Sequence, residues 1–188
     1  MPDRETGVTS VTTLVNVVGS GDLDRELDLG ALYQLFRKLC QTEEVSKSNS
    51  RVTVSFKDIG GTISIFRTGK YNIMGCRSHD VLVNANDQLK KILTESDVID
   101  SSNAVSFSPT NYVYTVDFQR EINLNSFDVL LGAEAEYEPE QYPFLIYRPS
   151  SLNCTMTISS SGKCVVNSPE GREPVEKVLD LLKAHLKG

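Results

Sequence analysis

The sequence predicts an α+β fold made of two tandem copies of one strand–helix–strands–helix unit, on three observations. Strand-like and helix-like segments follow each other in the same order twice along 188 residues. Matching residues recur at a fixed distance: Asn16 and Asn111 lie 95 positions apart, Gly69-Lys70 and Gly162-Lys163 lie 93 apart, and Leu27-x-Leu29 answers Ile122-x-Leu124. Strands come in blocks closed by a helix and do not alternate with helices one for one, which favours an antiparallel sheet.

The first strand is the valine-rich run Thr12 to Ser20. Asp28 then precedes a helix whose apolar residues, Leu29, Leu32, Tyr33, Phe36, Leu39 and Cys40, recur at three-and-four spacing. Three short strands are expected at 52–57, 62–67 and 70–77, divided by Gly60-Gly61 and by Thr68-Gly69. A second helix is predicted over 79–93, followed by polar residues that read as a linker. The second copy opens with a strand near 111–118 and a helix over 124–134. Strands follow near 144–148, 153–159 and 163–167, with Ser161-Gly162 turning the last pair. A final helix carries Val175, Val178, Leu179, Leu182 and Leu186 as its apolar stripe. The expected organisation is a tail over 1–10, a first repeat over 11–94, a linker over 95–108 and a second repeat over 109–188.

With 39% hydrophobic residues the chain can bury a real core. No apolar run approaches the roughly 20 residues of a membrane span, and the polar start lacks a signal core, so an intracellular protein with no membrane partner is expected. Cys40, Cys76, Cys154 and Cys164 form no C-x-x-C pair, and only two histidines accompany them. Reduced, mostly buried thiols without metal or cofactor are the expectation.

The net charge of −6 argues by itself against a polyanion partner. Its distribution argues the other way. Between Arg51 and Arg77 stand Arg51, Lys57, Arg67, Lys70 and Arg77 against the single acid Asp58. Between Tyr142 and Ser168 stand Arg148 and Lys163 and no acid. Carboxylates gather in helices and connections. A basic sheet with acidic helices behind it accounts for the split; the alternative is that strands simply hold fewer acids.

Several stretches taken together resemble the TATA-binding protein family. They are Leu14-Val-Asn-Val-Val-Gly-Ser20, Glu26-Leu-Asp-Leu29, Ile65-Phe-Arg-Thr-Gly-Lys70 and, most specific, Tyr137-Glu-Pro-Glu-Gln-Tyr-Pro-Phe-Leu-Ile-Tyr-Arg148. The resemblance runs from about Val11 to the end. It implies two pseudo-symmetric repeats forming a saddle, with the concave side of a curved antiparallel sheet toward duplex DNA and helices on the convex side. It further implies a non-enzymatic transcription initiation factor that reads A·T-rich promoter DNA from the minor groove. Its partners would be transcription factor B and the RNA polymerase machinery, and its place would be with the genome: the nucleus in a eukaryote, the cytoplasm or nucleoid in an archaeon.

Carried over residue by residue, the resemblance makes Asn16 and Asn111 the amides that address base edges, and puts Val18, Val113 and Val165 on the groove floor. An amide NH2 suits this task because an A·T step offers only acceptors in the minor groove. Lys70, Lys163 and Arg148 match phosphate contacts, with solvated surface cations as the alternative. Glu138 and Glu140 match the acids that dock transcription factor B. The family also inserts two phenylalanines per repeat between base steps, and here the sequence departs from it. Phe66 is kept, its partner aligns near Asn49, and the second repeat has Tyr142 and Ser159 at these places. Asn72, Met74 and Asn167 stand where small apolar or threonine side chains are usual. The divergence leaves a second reading: a paralogue with weakened kinking that acts mainly as a protein-interaction platform.

Enzyme motifs are missing. Gly69-Lys70 and Gly162-Lys163 resemble the end of a phosphate-binding loop, but the earlier glycine would fall on Ser64 or Thr157, and the following residue is Tyr71 or Cys164. His79 and His185 stand in predicted helices with no paired nucleophile nearby in sequence, and a nuclease or glycosylase accessory role would need a catalytic domain that two repeats leave no room for.

Overall fold

The computed structural model describes residues 10–39, 44–56, 60–100 and 105–186, the last without its side chain. The expectations for the tail before Ser10 and for Cys40, Glu43, Lys57, Asp58 and Leu186 lie outside the described residues or side chains. The chain divides into two compact units. One comprises residues 16–110; the other joins the described residues up to Val15 to those from Asn111 onward.

The first unit contains most of β1 (Val11–Asp22), then α1 (Leu29–Leu39), β2 (Glu44–Lys47), β3 (Arg51–Phe56), β4 (Gly61–Phe66), β5 (Lys70–Cys76) and α2 (His79–Glu95). Its strands stand in the order β2-β3-β4-β5-β1, each paired antiparallel with the next. The second unit contains most of β6 (Ser106–Asp117), then α3 (Leu124–Leu131), a single 3₁₀ turn (Gly132–Glu134), β7 (Ala135–Glu136), β8 (Leu145–Tyr147), β9 (Thr155–Ile158), β10 (Lys163–Ser168) and α4 (Arg172–Leu186). Its order is β6-β10-β9-β8-β7, again antiparallel throughout. The predicted α+β class and the repeat are both present.

The repeat is legible atom by atom at the helix starts. The Asp28 carboxylate accepts the N–H groups of Gly30 (2.7 Å) and Ala31 (3.2 Å) at the head of α1. Ninety-five positions on, the Asn123 amide oxygen accepts the Ser126 N–H (3.1 Å) at the head of α3. Both satisfy main-chain donors that the first helical turn leaves without partners. The β4–β5 and β9–β10 turns also match. Leu23 N–H donates to Gly69 O (3.0 Å) and Phe118 N–H to Gly162 O (3.1 Å). Both glycines have positive φ, +86° and +81°, and a Cβ on either would lie 2.2 or 2.0 Å from the carbonyl oxygen of Arg25 or Arg120. No residue with a side chain fits either turn unchanged.

Alternation divides each sheet into a covered face and an open one. In the first unit Val52, Val54, Ile63, Ile65, Tyr71 and Ile73 are buried, and α1 and α2 lie against β3 and β5 with Leu32, Phe36, Leu82 and Leu89 inside. In the second, Leu145, Met156, Ile158 and Val166 join Val175, Val178 and Leu182 of α4 in one cluster. Each such side chain contributes roughly 1.5–3 kcal/mol by leaving water. Cys76, Cys154 and Cys164 are buried thiols, and burial pushes the Cys164 thiol up to about 12.

Two boundaries and two short strands differ from the sequence expectation. β6 begins at Ser106, not near Asn111, because Phe107 stacks on Tyr71 (centroids 6.0 Å, planes within 1°) while its neighbours Ser106 and Ser108 face solvent. The short edge strands β2 and β7 carry too few apolar residues to be read in advance. The helix expected over 124–134 stops at Leu131, where Gly132 takes φ +60° and the chain tightens into the 3₁₀ turn.

Candidate nucleic-acid interface

Each unit presents the face of its sheet that no helix covers. On the first unit Asn16, Val18 and Ser20 of β1, Lys70, Asn72 and Met74 of β5, and Thr62, Ser64 and Phe66 of β4 share that face through alternation and register. It is mostly polar and internally hydrogen-bonded. Thr53 meets Ser64 at 3.2 Å, Ser55 meets Thr62 at 3.0 Å, and the Ser20 hydroxyl donates to Asn72 Oδ1 at 2.9 Å. Asn16 is held from behind. A bulge at Gly75 shifts the β1–β5 register and aims the Gly75 N–H at Asn16 Oδ1 (2.9 Å). The amide oxygen is thereby occupied, and both NH2 hydrogens are left to donate.

On the second unit Asn111, Val113 and Thr115 of β6, Lys163, Val165 and Asn167 of β10, and Thr155 and Thr157 of β9 share the open face. No bulge interrupts the β6–β10 ladder, which runs in one register from Lys163↔Asp117 to Ser168↔Tyr112. Asn111 therefore lacks the main-chain donor that Asn16 has; its Nδ2 instead points at Asn167 Oδ1, 3.4 Å away. Val165 is exposed and Lys163 lies at the turn beside it. Tyr142 is 45% exposed. Its ring meets that of Phe144 at 5.0 Å between centroids, tilted 58°. The two rings border a hollow of about 750 Å³ whose walls include Val11, Thr13, Thr115, Ser159, Lys163 and Val165.

Each site residue expected from the sequence thus has a defined place in its own unit. Asn16, Val18, Phe66 and Lys70 share the open face of the first; Asn111, Val113, Lys163 and Val165 share that of the second, with Tyr142 at the hollow's edge. Asn49 sits exposed in the bend between β2 and β3. Ser159 is tied into the β9–β10 turn: its hydroxyl donates to Lys163 O (2.8 Å), accepts Lys163 N–H (3.2 Å) and lies 2.8 Å from the Ser161 hydroxyl. Arg148 is paired with Glu136 at 3.1 Å, both half exposed, so its charge is partly matched within the protein. Glu138 and Glu140 stand exposed in the turn before Tyr142, and Glu138 accepts from the Gln141 amide (2.6 Å). Phe144 is not among the residues that the sequence points to; its spacing of two from Tyr142, just before β8, is the available signal.

The acids Asp22 and Asp117 also occupy repeat-related places, at the ends of β1 and β6. Each turns back to accept a main-chain N–H two residues on, from Asp24 (2.9 Å) and Gln119 (2.7 Å). Among the described residues no helix is long and apolar enough to cross a membrane, and no cluster of ligating side chains could hold a metal ion.

The family model described as Transcription factor TFIID (or TATA-binding protein, TBP) matches residues 11–96 and again 106–187. TATA-box-binding protein C of Halobacterium salinarum is 30% identical over 172 residues, 91% of this chain and 94% of that protein. The TATA-box-binding protein of Methanothermococcus thermolithotrophicus is 31% identical over 179 residues, 93% of each chain. The solved structure of Methanococcus jannaschii TBP superposes with a TM-score of 0.72 at 27% identity, over 94% of this chain and 98% of that one. The chain belongs to the TATA-binding protein family, a family of transcription factors and not of enzymes.

Proposed function

We propose that the chain is a general transcription initiation factor that binds A·T-rich promoter DNA through the minor groove and recruits transcription factor B and the RNA polymerase machinery. One observation carries the reading: each repeat has a helix-free sheet face with an asparagine at the same position and a lysine just after the same tight glycine turn. Asn16 and Asn111 donate to the acceptors of A·T steps. Val18, Val113 and Val165 lie on the groove floor, and Lys70 and Lys163 meet phosphates. With a net charge of −6, binding weakens steeply as salt rises, because each neutralised phosphate releases counterions. In a gel-shift assay at moderate salt, an A·T-rich duplex is retarded, transcription factor B strengthens the shift, and a G·C duplex is not shifted. Equal retardation of both duplexes would overturn the reading.

Glu138 and Glu140, exposed in their turn, are the docking acids for transcription factor B. Reversing both (Glu138→Arg with Glu140→Arg) replaces attraction by repulsion, an effect commonly worth several kcal/mol. Capture of purified transcription factor B then falls while the thermal melt stays unchanged. Unaltered capture would reject this assignment.

A specific observation favours the second reading, a paralogue with weaker kinking. Asn49 is polar and Ser159 is committed to its turn, so neither inserts between bases. Energy transfer between the ends of a short A·T-rich duplex measures the bend; a large symmetric bend from the protein alone would exclude this reading.

A further inference from the structure

We infer that the second repeat has rebuilt its base-contacting wedge on the segment that leads into β8, with Phe144 supplying the flat apolar surface that Ser159 lacks; the inference rests on the DNA-binding reading above. The register carries the argument. Leu145, the first residue of β8, pairs with Ile158, the last of β9, so Phe144 and Ser159 flank the end of that ladder, and both line the same hollow. Cross-strand neighbours put their side chains on the same face, about 5 Å apart at Cβ. The ring missing at Ser159, in the turn after β9, is therefore available at Phe144 on the wall of the same hollow. Tyr142, two residues earlier on the same side, tilts against it at 5.0 Å.

The surroundings say what the rings would meet. The hollow beside them, about 750 Å³, lies within the roughly 300–1,000 Å³ range of ligand sites. Val11 and Val165 give it apolar walls, and Lys163 places a cation at its rim. An aromatic ledge next to a cation suits a base whose stacking partner has been pulled away and whose phosphate lies alongside. The first repeat offers nothing equivalent. The position across from Phe66 is Arg51, and Asn49 stands where the second repeat has Tyr142. The second repeat therefore offers two rings to the bases, whereas the first offers Phe66 with Arg51 beside it.

The test uses the full chain and A·T-rich duplexes carrying 2-aminopurine at successive steps, whose fluorescence rises on unstacking. Wild type brightens the probe most strongly near one end. Phe144→Ala abolishes that brightening and weakens binding about 10-fold, within the range of one lost base–aromatic stack. Phe144→Leu, which keeps apolar bulk and safeguards the fold, also loses the brightening but less affinity. Moving the ring, Phe144→Ala with Ser159→Phe, restores both signals; a ring needed only for packing would not be rescued this way. Phe144 variants that bind and brighten like wild type overturn the inference and leave the DNA-binding reading standing. A wild type that fails to bind the duplex overturns both.

Discussion

The open faces of the two repeats have the same scaffold and different chemistry. The first is a lattice of hydroxyl and amide rungs, Thr53–Ser64, Ser55–Thr62 and Ser20–Asn72, around an asparagine clamped by the Gly75 N–H. The second is apolar around a hollow, with Tyr142, Phe144 and Val165 at its edge and an asparagine that leans on another amide. One extra residue, the bulge at Gly75, separates the two amide environments. Turns and caps are held in common because the backbone requires them. The side chains that face away from the helices are released from packing, so the two copies could diverge there without cost to the fold.

The largest effect tests what the repeats share. Gly69→Ala and Gly162→Ala each force a Cβ onto a carbonyl oxygen at positive φ. Each is expected to lower stability by about 3 kcal/mol in urea denaturation. If one half tolerates its substitution, the turns are not equivalent and the comparison fails at its base.

Next comes a difference in buried thiols. Burial pushes Cys164 up to about 12 and raises Cys154 and, in the first repeat, Cys76. A thiol raised in the folded state adds stability that is complete below its unfolded pKa and is lost as pH climbs toward the folded value. Stability is therefore flat to about pH 8 and declines from about pH 9 toward 12. For Cys164 the loss at pH 10 is on the order of 1 kcal/mol. Cys164→Ala starts less stable at pH 7 because of its cavity, but shows a shallower alkaline slope. Parallel slopes would remove the thiol from this account.

A smaller effect separates the two amides. Asn16 keeps both NH2 hydrogens free while its oxygen is held; Asn111 has one directed at Asn167. Asn16→Ala is expected to weaken binding to an A·T-rich duplex about 10-fold and Asn111→Ala about 3-fold, in line with groove contacts of roughly 1–3 kcal/mol. The reverse order in a fluorescence titration would show that the Gly75 clamp does not prepare the amide.

Much of this was legible in the sequence because burial imposes periodicity. The stripe Leu29, Leu32, Phe36 gave α1, and Val175, Val178, Leu182 gave α4. Repeat spacing pointed to Asn16 with Asn111 and to the two glycine turns. The start of β6 was hidden because one half-buried ring, Phe107, stacked on Tyr71, anchors an otherwise polar segment. The Gly75 bulge was hidden because a glycine in a strand does not announce its register. Phe144 was not legible because it stands outside the family's wedge positions, and only the fold brings it onto the hollow that Ser159 also lines.

The smallest effect concerns Arg148, whose sequence position suggested a phosphate contact. It directly follows β8, with Glu136 of the edge strand 3.1 Å from its guanidinium, both groups more than half exposed. An exposed pair of this kind is worth at most about 1 kcal/mol, and salt screens it. DNA must therefore draw Arg148 away from a weak but present partner, while Lys163 at the rim of the hollow forms none of the ion pairs seen among the described residues. Lys163→Ala should reduce affinity about 5-fold and lower the slope of log affinity against log salt by about one. Arg148→Ala should reduce affinity only about 2-fold. Glu136→Gln, which frees Arg148 and removes a negative charge near the duplex, should strengthen binding about 2-fold at low salt, with the gain fading as salt rises. A loss of binding in Glu136→Gln would mean that the carboxylate positions Arg148 for its phosphate instead of competing with it.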